Sequence, residues 1–153
     1  MKRGLLIALV VLVADQISKA AILDLMQPPR LIEILPVFNI VLAMNRGVSF
    51  SLFADHGGLT PYLLTGVAVV MVAALLWWLR SAETRLTRCA IGLVVGGALG
   101  NVIDRVRYGA VVDFLDVHVG AWHWPAFNVA DSAITIGAIL LMLDALFSRP
   151  QSR

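Results

Sequence analysis

The residue types in this chain that could do chemistry are carboxylates, with amides and an arginine close to them in sequence. Asn101 and Arg105 are four residues apart, Asn128 and Asp131 are three apart, and Asp113 lies in the connection between the two pairs. Asn45 opens an Asn45-Arg46-Gly47 turn signal, and Asp15 and Lys19 are four apart near the amino terminus. Two carboxylates sharing a partly desolvated site cannot both ionise comfortably, so one keeps a proton. The ionised member can take a proton from water while the protonated member donates to a carbonyl oxygen. That is hydrolysis of a peptide bond by an aspartyl dyad, and it requires no metal, cofactor or covalent nucleophile. Arg105 and the amides of Asn101 and Asn128 could orient a substrate or support a developing oxyanion. Asp15 and Lys19 share a helical face and could form an ion pair, which reads most simply as a structural staple.

Rival chemistries find little support. Ser18, Ser49, Ser51 and Ser132 have no histidine within a span to act as base. His118 and His123, with Asp113 and Asp116, follow no compact metal-ligand spacing, and beside Trp122 and Trp124 they read as amphipathic interface residues. The single cysteine, Cys89, excludes an internal disulfide and follows Leu86-Thr87-Arg88 rather than the small residues of a lipid-attachment site.

The elements that must position these groups are membrane helices. The chain has 153 residues, a length that suggests one domain over 1–153. It is 59% hydrophobic and 14% charged, with a mean hydropathy of +0.86. A soluble domain is about 45–50% apolar and about 25% charged, so too little polar material exists here to coat a water-facing surface. A spanning helix needs about 20 mostly apolar residues, and four stretches qualify, at about 4–26, 59–79, 89–105 and 126–147. Asp15 to Lys19 sit where a span would continue, and Leu12-Val13-Ala14 is a poor cleavage site, so the first stretch reads as a retained helix rather than a signal peptide.

Lys2, Arg3, Arg80, Arg85, Arg88, Arg149 and Arg153 fall on one side of a four-span arrangement, which makes that side cytoplasmic with both termini inside. The segments at about 27–58 and 106–125 then face outward. In the first, Arg30–Leu35 and Val37–Leu42 are rich in β-branched residues and separated by Pro36, with Pro28-Pro29 before and Gly57-Gly58 after. They predict a small sheet lying on the membrane between helices 1 and 2. Gly92, Gly96 and Gly100, with Gly97 beside them, form a ridge of small residues for close helix packing, and Asn101 and Arg105 continue toward its outer end. Asn45, Asn101, Arg105, Asp113, Asn128 and Asp131 therefore converge in depth at the outer face, with Asp15 and Lys19 nearby. An interfacial polar belt would give the same pattern, as would a small transporter using Asp15, Lys19 and Asp131. Against the transporter stands the lack of inverted symmetry between helix pairs. A non-catalytic scaffold or lipid-binding protein also fits.

Read together, the blocks resemble one family. Asp15-Gln16-Ile17-Ser18-Lys19, Asn45-Arg46-Gly47-Val48-Ser49-Phe50-Ser51, Gly97 to Arg105 with Gly109, Val111 and Asp113-Phe114, and Pro125 to Ser132 stand in the order found in the lipoprotein signal peptidases (signal peptidase II). Ser49 departs from the alanine usual there. The resemblance covers essentially the whole chain. It implies a multi-pass aspartic endopeptidase of the bacterial cytoplasmic (inner) membrane. Such an enzyme cleaves diacylglyceryl-modified prolipoproteins just before the lipidated cysteine, near the periplasmic face. By motif position Asp113 and Asp131 would be the catalytic pair, Asn45, Asn101, Arg105 and Asn128 would line the site, and Asp15 and Lys19 would support it. The implied partners are prolipoprotein substrates, membrane lipids and the inhibitor globomycin. No nucleic acid, metal or cofactor is implied, and a monomer is expected.

Overall fold

The structure is a computed structural model and describes residues 1–47 and 60–147. Val48 to Ser51 of the second sequence block, Gly57-Gly58, Leu59, Arg149 and Arg153 lie outside the described residues. Four helices are long and apolar enough to cross a membrane: α1 (Lys2–Leu25), α2 (Thr60–Ser81), α3 (Arg85–Tyr108) and α4 (Val129–Phe147). Helix α3 packs against each of the others and is mostly buried, while α1, α2 and α4 keep most of their surface exposed. That is the pattern of a central helix in a bundle whose outer surface is lipid rather than water.

Glycine explains how α3 holds two neighbours so closely. A Cβ on Gly92 or Gly96 would run into the backbone carbonyls of Gly4 and Ala8 on α1, and one on Gly100 would run into the Asp15 carboxylate. A Cβ on Gly97 would strike the Ala130 carbonyl of α4. The helix thus presents two stripes at four-residue spacing: 92, 96 and 100 toward α1, and 97 and 101 toward α4. On the opposite side Val95, Ala98 and Ile91 join Ala8, Val72, Leu79 and Ala82 in an apolar core.

Both ends of α3 are fixed by specific caps. Thr84 Oγ1 accepts from the Thr87 backbone N–H (2.9 Å), and Thr87 Oγ1 donates to Asp144 of α4 at 2.5 Å, joining the two helices at the end away from the proposed site. At the other end Gly109 takes a left-handed conformation (φ 66°), and its N–H reaches the Arg105 carbonyl at 3.0 Å. This turn sends the chain directly into a strand that carries Asp113.

The expected sheet is present but is built from more of the chain. Strands β1 (Ile32–Leu35), β2 (Phe38–Asn45), β3 (Val111–Val119) and β4 (Trp122–His123) form one antiparallel sheet in the order β1-β2-β3-β4. It is therefore not confined to the segment between helices 1 and 2. Half of it comes from the α3–α4 connection, where Val111–Val119 interleaves aspartates among β-branched residues and hides the alternation that marks a strand. The first two strands occupy nearly the expected ranges, and β2 runs three residues further, to Asn45.

Candidate active site

Asp113 faces Ala43 across the β2–β3 pair, and Asn45 faces Val111, so the Asn45 and Asp113 side chains are diagonal neighbours on one face. Asn45 Nδ2 donates to Asp113 Oδ2 at 2.9 Å, and Asn128 Nδ2 donates to Asp113 Oδ1 at 2.7 Å. Asp131 lies in the first turn of α4 and accepts from Asn101 Nδ2 at 2.7 Å. Asn128 caps that helix: its Oδ1 accepts the Asp131 backbone N–H at 2.9 Å. The Ala130 N–H, free at the same helix end, donates to Asp15 Oδ1 of α1 at 2.9 Å.

The three asparagines share one logic. Each side-chain oxygen is occupied by a group that can only donate: Lys19 Nζ on Asn101 (3.0 Å), the Gly47 N–H on Asn45 (2.8 Å) and the Asp131 N–H on Asn128. The amide –NH₂ groups must then point the other way, and all three point at Asp113 or Asp131. An aspartate at any of these positions would have no hydrogen to offer and would add a like charge.

Beside the pair lies a cluster of ion pairs. Lys19 is 2% exposed and sits between Asp15 (2.9 Å) and Asp104 (2.7 Å). Asp104 also accepts from Gln16 Nε2 (3.0 Å) and from the Val112 backbone N–H (3.1 Å). It therefore ties α1 and α3 to the strand residue next to Asp113. Sequence reasoning missed Asp104 and Gln16 as site supports. The signal was present, since Asp104 is the next step of the 92, 96, 100 stripe that faces α1, although only glycines had marked it.

Of the eight residues singled out from the sequence, seven are joined by hydrogen bonds or ion pairs in this one network. Arg105 stands at its margin. Its Nη1 makes only a 3.5 Å contact to the Asn101 carbonyl, and its buried Nε has no partner among the described residues. It remains within electrostatic reach of Asp131, Asp104 and Asp113.

Burial pushes the Asp113 carboxyl up to about 6. Hydrogen bonds from Asn45 and Asn128 and the charge of Lys19 oppose that rise, while the charge of Asp131 adds to it. A groove of about 840 Å³ opens beside Asp131, lined by Asn45, His123, Ser132 and Thr135 together with Trp122, Trp124, Phe127 and Ile136.

His118 and His123 lie on β3 and β4, and His123 also borders the groove. Their rings stack at 4.7 Å, and His123 Nδ1 meets the Asp116 carboxylate at 2.9 Å. Burial would raise the Asp116 carboxyl, but hydrogen bonds from His123 and Asn39 outweigh it and hold the group below its ordinary value. Neither histidine touches Asp113 or Asp131 by hydrogen bond.

Residues 7–147 match the family profile described as Signal peptidase (SPase) II. The chain is 48% identical over 141 residues to a lipoprotein signal peptidase of Paraburkholderia phymatum, covering 92% of this chain and 85% of that one. A lipoprotein signal peptidase of Burkholderia thailandensis is 46% identical over the same length and coverage. Two solved structures described as a bacterial membrane enzyme superpose with a TM-score of 0.85. One is 30% identical and covers all of this chain and 94% of its own. The other is 31% identical and covers 97% of this chain and 96% of its own. With its motifs in order and this fold around them, the chain belongs to the signal peptidase II family, the lipoprotein signal peptidases.

Proposed function

We propose that this protein is an aspartic endopeptidase that removes the signal peptide from diacylglyceryl-modified prolipoproteins, with Asp113 and Asp131 as its catalytic dyad. The observation that carries the reading is the three-asparagine arrangement. It aims amide donors at two carboxylates drawn from different elements and leaves one of them, Asp131, on an open groove. Asp113, whose carboxyl is raised to about 6, keeps the shared proton. Asp131 takes a proton from water as the water oxygen attacks the scissile carbonyl, and Asp113 gives its proton to the carbonyl oxygen. In the second step Asp131 returns its proton to the leaving nitrogen, and Asp113 recovers one from the diol as the carbon–nitrogen bond breaks. The dyad ends as it began.

Arg105, whose Nε has no partner among the described residues and which lies within electrostatic reach of both carboxylates, holds the substrate backbone beside the dyad. The four helices cross the bacterial inner membrane with both termini in the cytoplasm and the sheet and dyad at the periplasmic face. The lysine and arginine distribution supports that orientation. Membrane-level carboxylates suit a substrate whose signal helix and acyl chains both arrive by lateral diffusion. Incubating a lipid-modified precursor with the protein in detergent tests the reading: the precursor is expected to shorten on a gel, and Asp131→Asn is expected to abolish that shortening. A precursor left at full length by the intact protein would sink the reading in favour of a transporter or a lipid-binding scaffold.

A further inference from the structure

The groove beside Asp131 has an apolar arm that the dyad chemistry does not use. Trp122 and Trp124 lie edge to face at 6.1 Å on one side, Phe127 lines it, and Thr135 and Ile136 of α4 close the other side. Ile136 lies five residues beyond Asp131, which at about 1.5 Å per residue places it roughly 7 Å deeper along the span. Its side chain is exposed on the surface that α4 offers to lipid. The arm thus leads from a dyad carboxylate into the hydrocarbon layer.

The chemistry of the lining selects its occupant. From 117 to 127 the chain carries no lysine, arginine, aspartate or glutamate, and the one histidine of this stretch that borders the groove, His123, has its Nδ1 engaged with the Asp116 carboxylate at 2.9 Å. The backbone there is already engaged: the Trp124 N–H bonds the Val117 carbonyl (2.8 Å), and the Phe127 N–H bonds the Leu115 carbonyl (3.0 Å). The Phe127 carbonyl accepts from both Phe114 and Leu115, and β4 is paired to β3 through Trp122 and His123. An extended peptide laid in this arm would leave its own N–H and C=O groups unpaired in an apolar setting, at a cost of about 1–3 kcal/mol each. A hydrocarbon chain needs no such partners. We infer that the arm between the Trp122–Trp124 hairpin and α4 seats an acyl chain of the substrate's lipidated cysteine, which makes Trp122, Trp124, Phe127 and Ile136 the residues that recognise the lipid. The inference rests on the peptidase reading and adds the place where the lipid lies.

Two measurements test it. A lipopeptide with a diazirine at the end of one acyl chain is photolysed with the full-length Asp113→Asn variant, and the adducts are mapped. Labels are expected on the Trp122–Phe127 segment and around Ile136, and excess unlabelled lipopeptide should compete them away. A phospholipid carrying the same diazirine should label the exposed faces of α1, α2 and α4 without that focus. Labels from the lipopeptide spread like those from the phospholipid, or gathered on α2 or β1, would overturn the assignment. So would a focus of adducts in the arm from a diazirine placed on the signal-peptide side chains instead. The second measurement is the kinetics of Ile136→Trp, which fills the mouth of the arm, with Ile139→Trp as a lipid-facing control one turn deeper. Ile136→Trp is expected to raise KM about tenfold with kcat little changed, the signature of lost uniform binding in an apolar pocket. An unchanged KM, or an equal rise in the Ile139 control, would contradict it. If the intact protein cleaves no lipopeptide, the peptidase reading fails, and the adduct map still reports separately on where an acyl chain binds.

Discussion

Four aspartates meet at one end of the bundle, and they form two pairs that differ in what neutralises them. Asp15 and Asp104 share the Lys19 ammonium at 2.9 and 2.7 Å and are buried with it. Asp113 and Asp131 receive only neutral amides, and among the described residues neither has a cation within ion-pair distance. A carboxylate locked to an ammonium holds architecture. A carboxylate held by amide donors keeps its geometry and can still titrate. The same residue type thus takes two roles, separated by one asparagine: Lys19 fixes the oxygen of Asn101, and Asn101 turns its –NH₂ to Asp131.

The largest effect should come from breaking the locked pair. Lys19→Met leaves Asp15 and Asp104 facing each other with no cation, and removing one partner of a buried ionic cluster costs about 3–5 kcal/mol. Thermal unfolding in detergent should show a much less stable protein. Adding Asp15→Asn and Asp104→Asn to that variant removes the stranded charges, so most of the lost stability should return. No recovery would mean that the cluster holds the bundle by something other than charge balance.

Arg105 sharpens the contrast from the other side, because it is a cation within electrostatic reach of Asp131 and Asp113 that forms no ion pair with either among the described residues. Arg105→Ala should lower kcat by about 10²–10³-fold, the scale of losing one donor to a developing oxyanion, with the melting temperature nearly unchanged. Arg105→Lys should recover only part, since an ammonium lacks the planar fork of a guanidinium. Full activity in the lysine variant would show that a point charge suffices.

A smaller effect concerns titration. In the proposed dyad Asp113 is the acid, and burial raises its carboxyl to about 6, with the charge of Asp131 adding to the rise. With its proton lost no acid remains, and kcat/KM should therefore fall as the pH rises through about 6 in the free enzyme. Asn45 donates to the ionised form of Asp113 and pulls its value down. Asn45→Ala should then move the limb to higher pH. A limb that moved down would reverse the assigned role of that hydrogen bond. The smallest effect belongs to the sheet histidines. His118→Ala and His123→Ala should each leave turnover within roughly twofold, because neither ring hydrogen-bonds Asp113 or Asp131, and chelators should not change activity. Loss with a chelator, restored by one metal, would move the chemistry to the histidines.

The helices were legible because twenty apolar residues have few other uses, and the family because the motif blocks stand in its order. Convergence in depth could be argued from topology alone, yet a polar belt would have looked the same. Three things were hidden. Asp104 belongs to a glycine stripe and was masked by its neighbour Arg105, which points elsewhere. Strand β3 alternates too poorly to declare itself, because Asp113 and Asp116 are three apart and fall on opposite faces. The orientation of three amides depends on which donor meets each oxygen, and no sequence pattern records that.

The direct test of the dyad is a double-variant cycle on precursor cleavage, run beside thermal stability in detergent. Asp113→Asn and Asp131→Asn should each lose about 10²–10⁴-fold in turnover, the range for a positioned acid or base, while still folding. If the two share one proton, either change ends the division into acid and base, and the double variant should be about as inactive as the worse single one. Independent carboxylates would instead lose the product of the two single effects. That multiplicative result, or near-normal turnover in either single variant, would contradict the dyad.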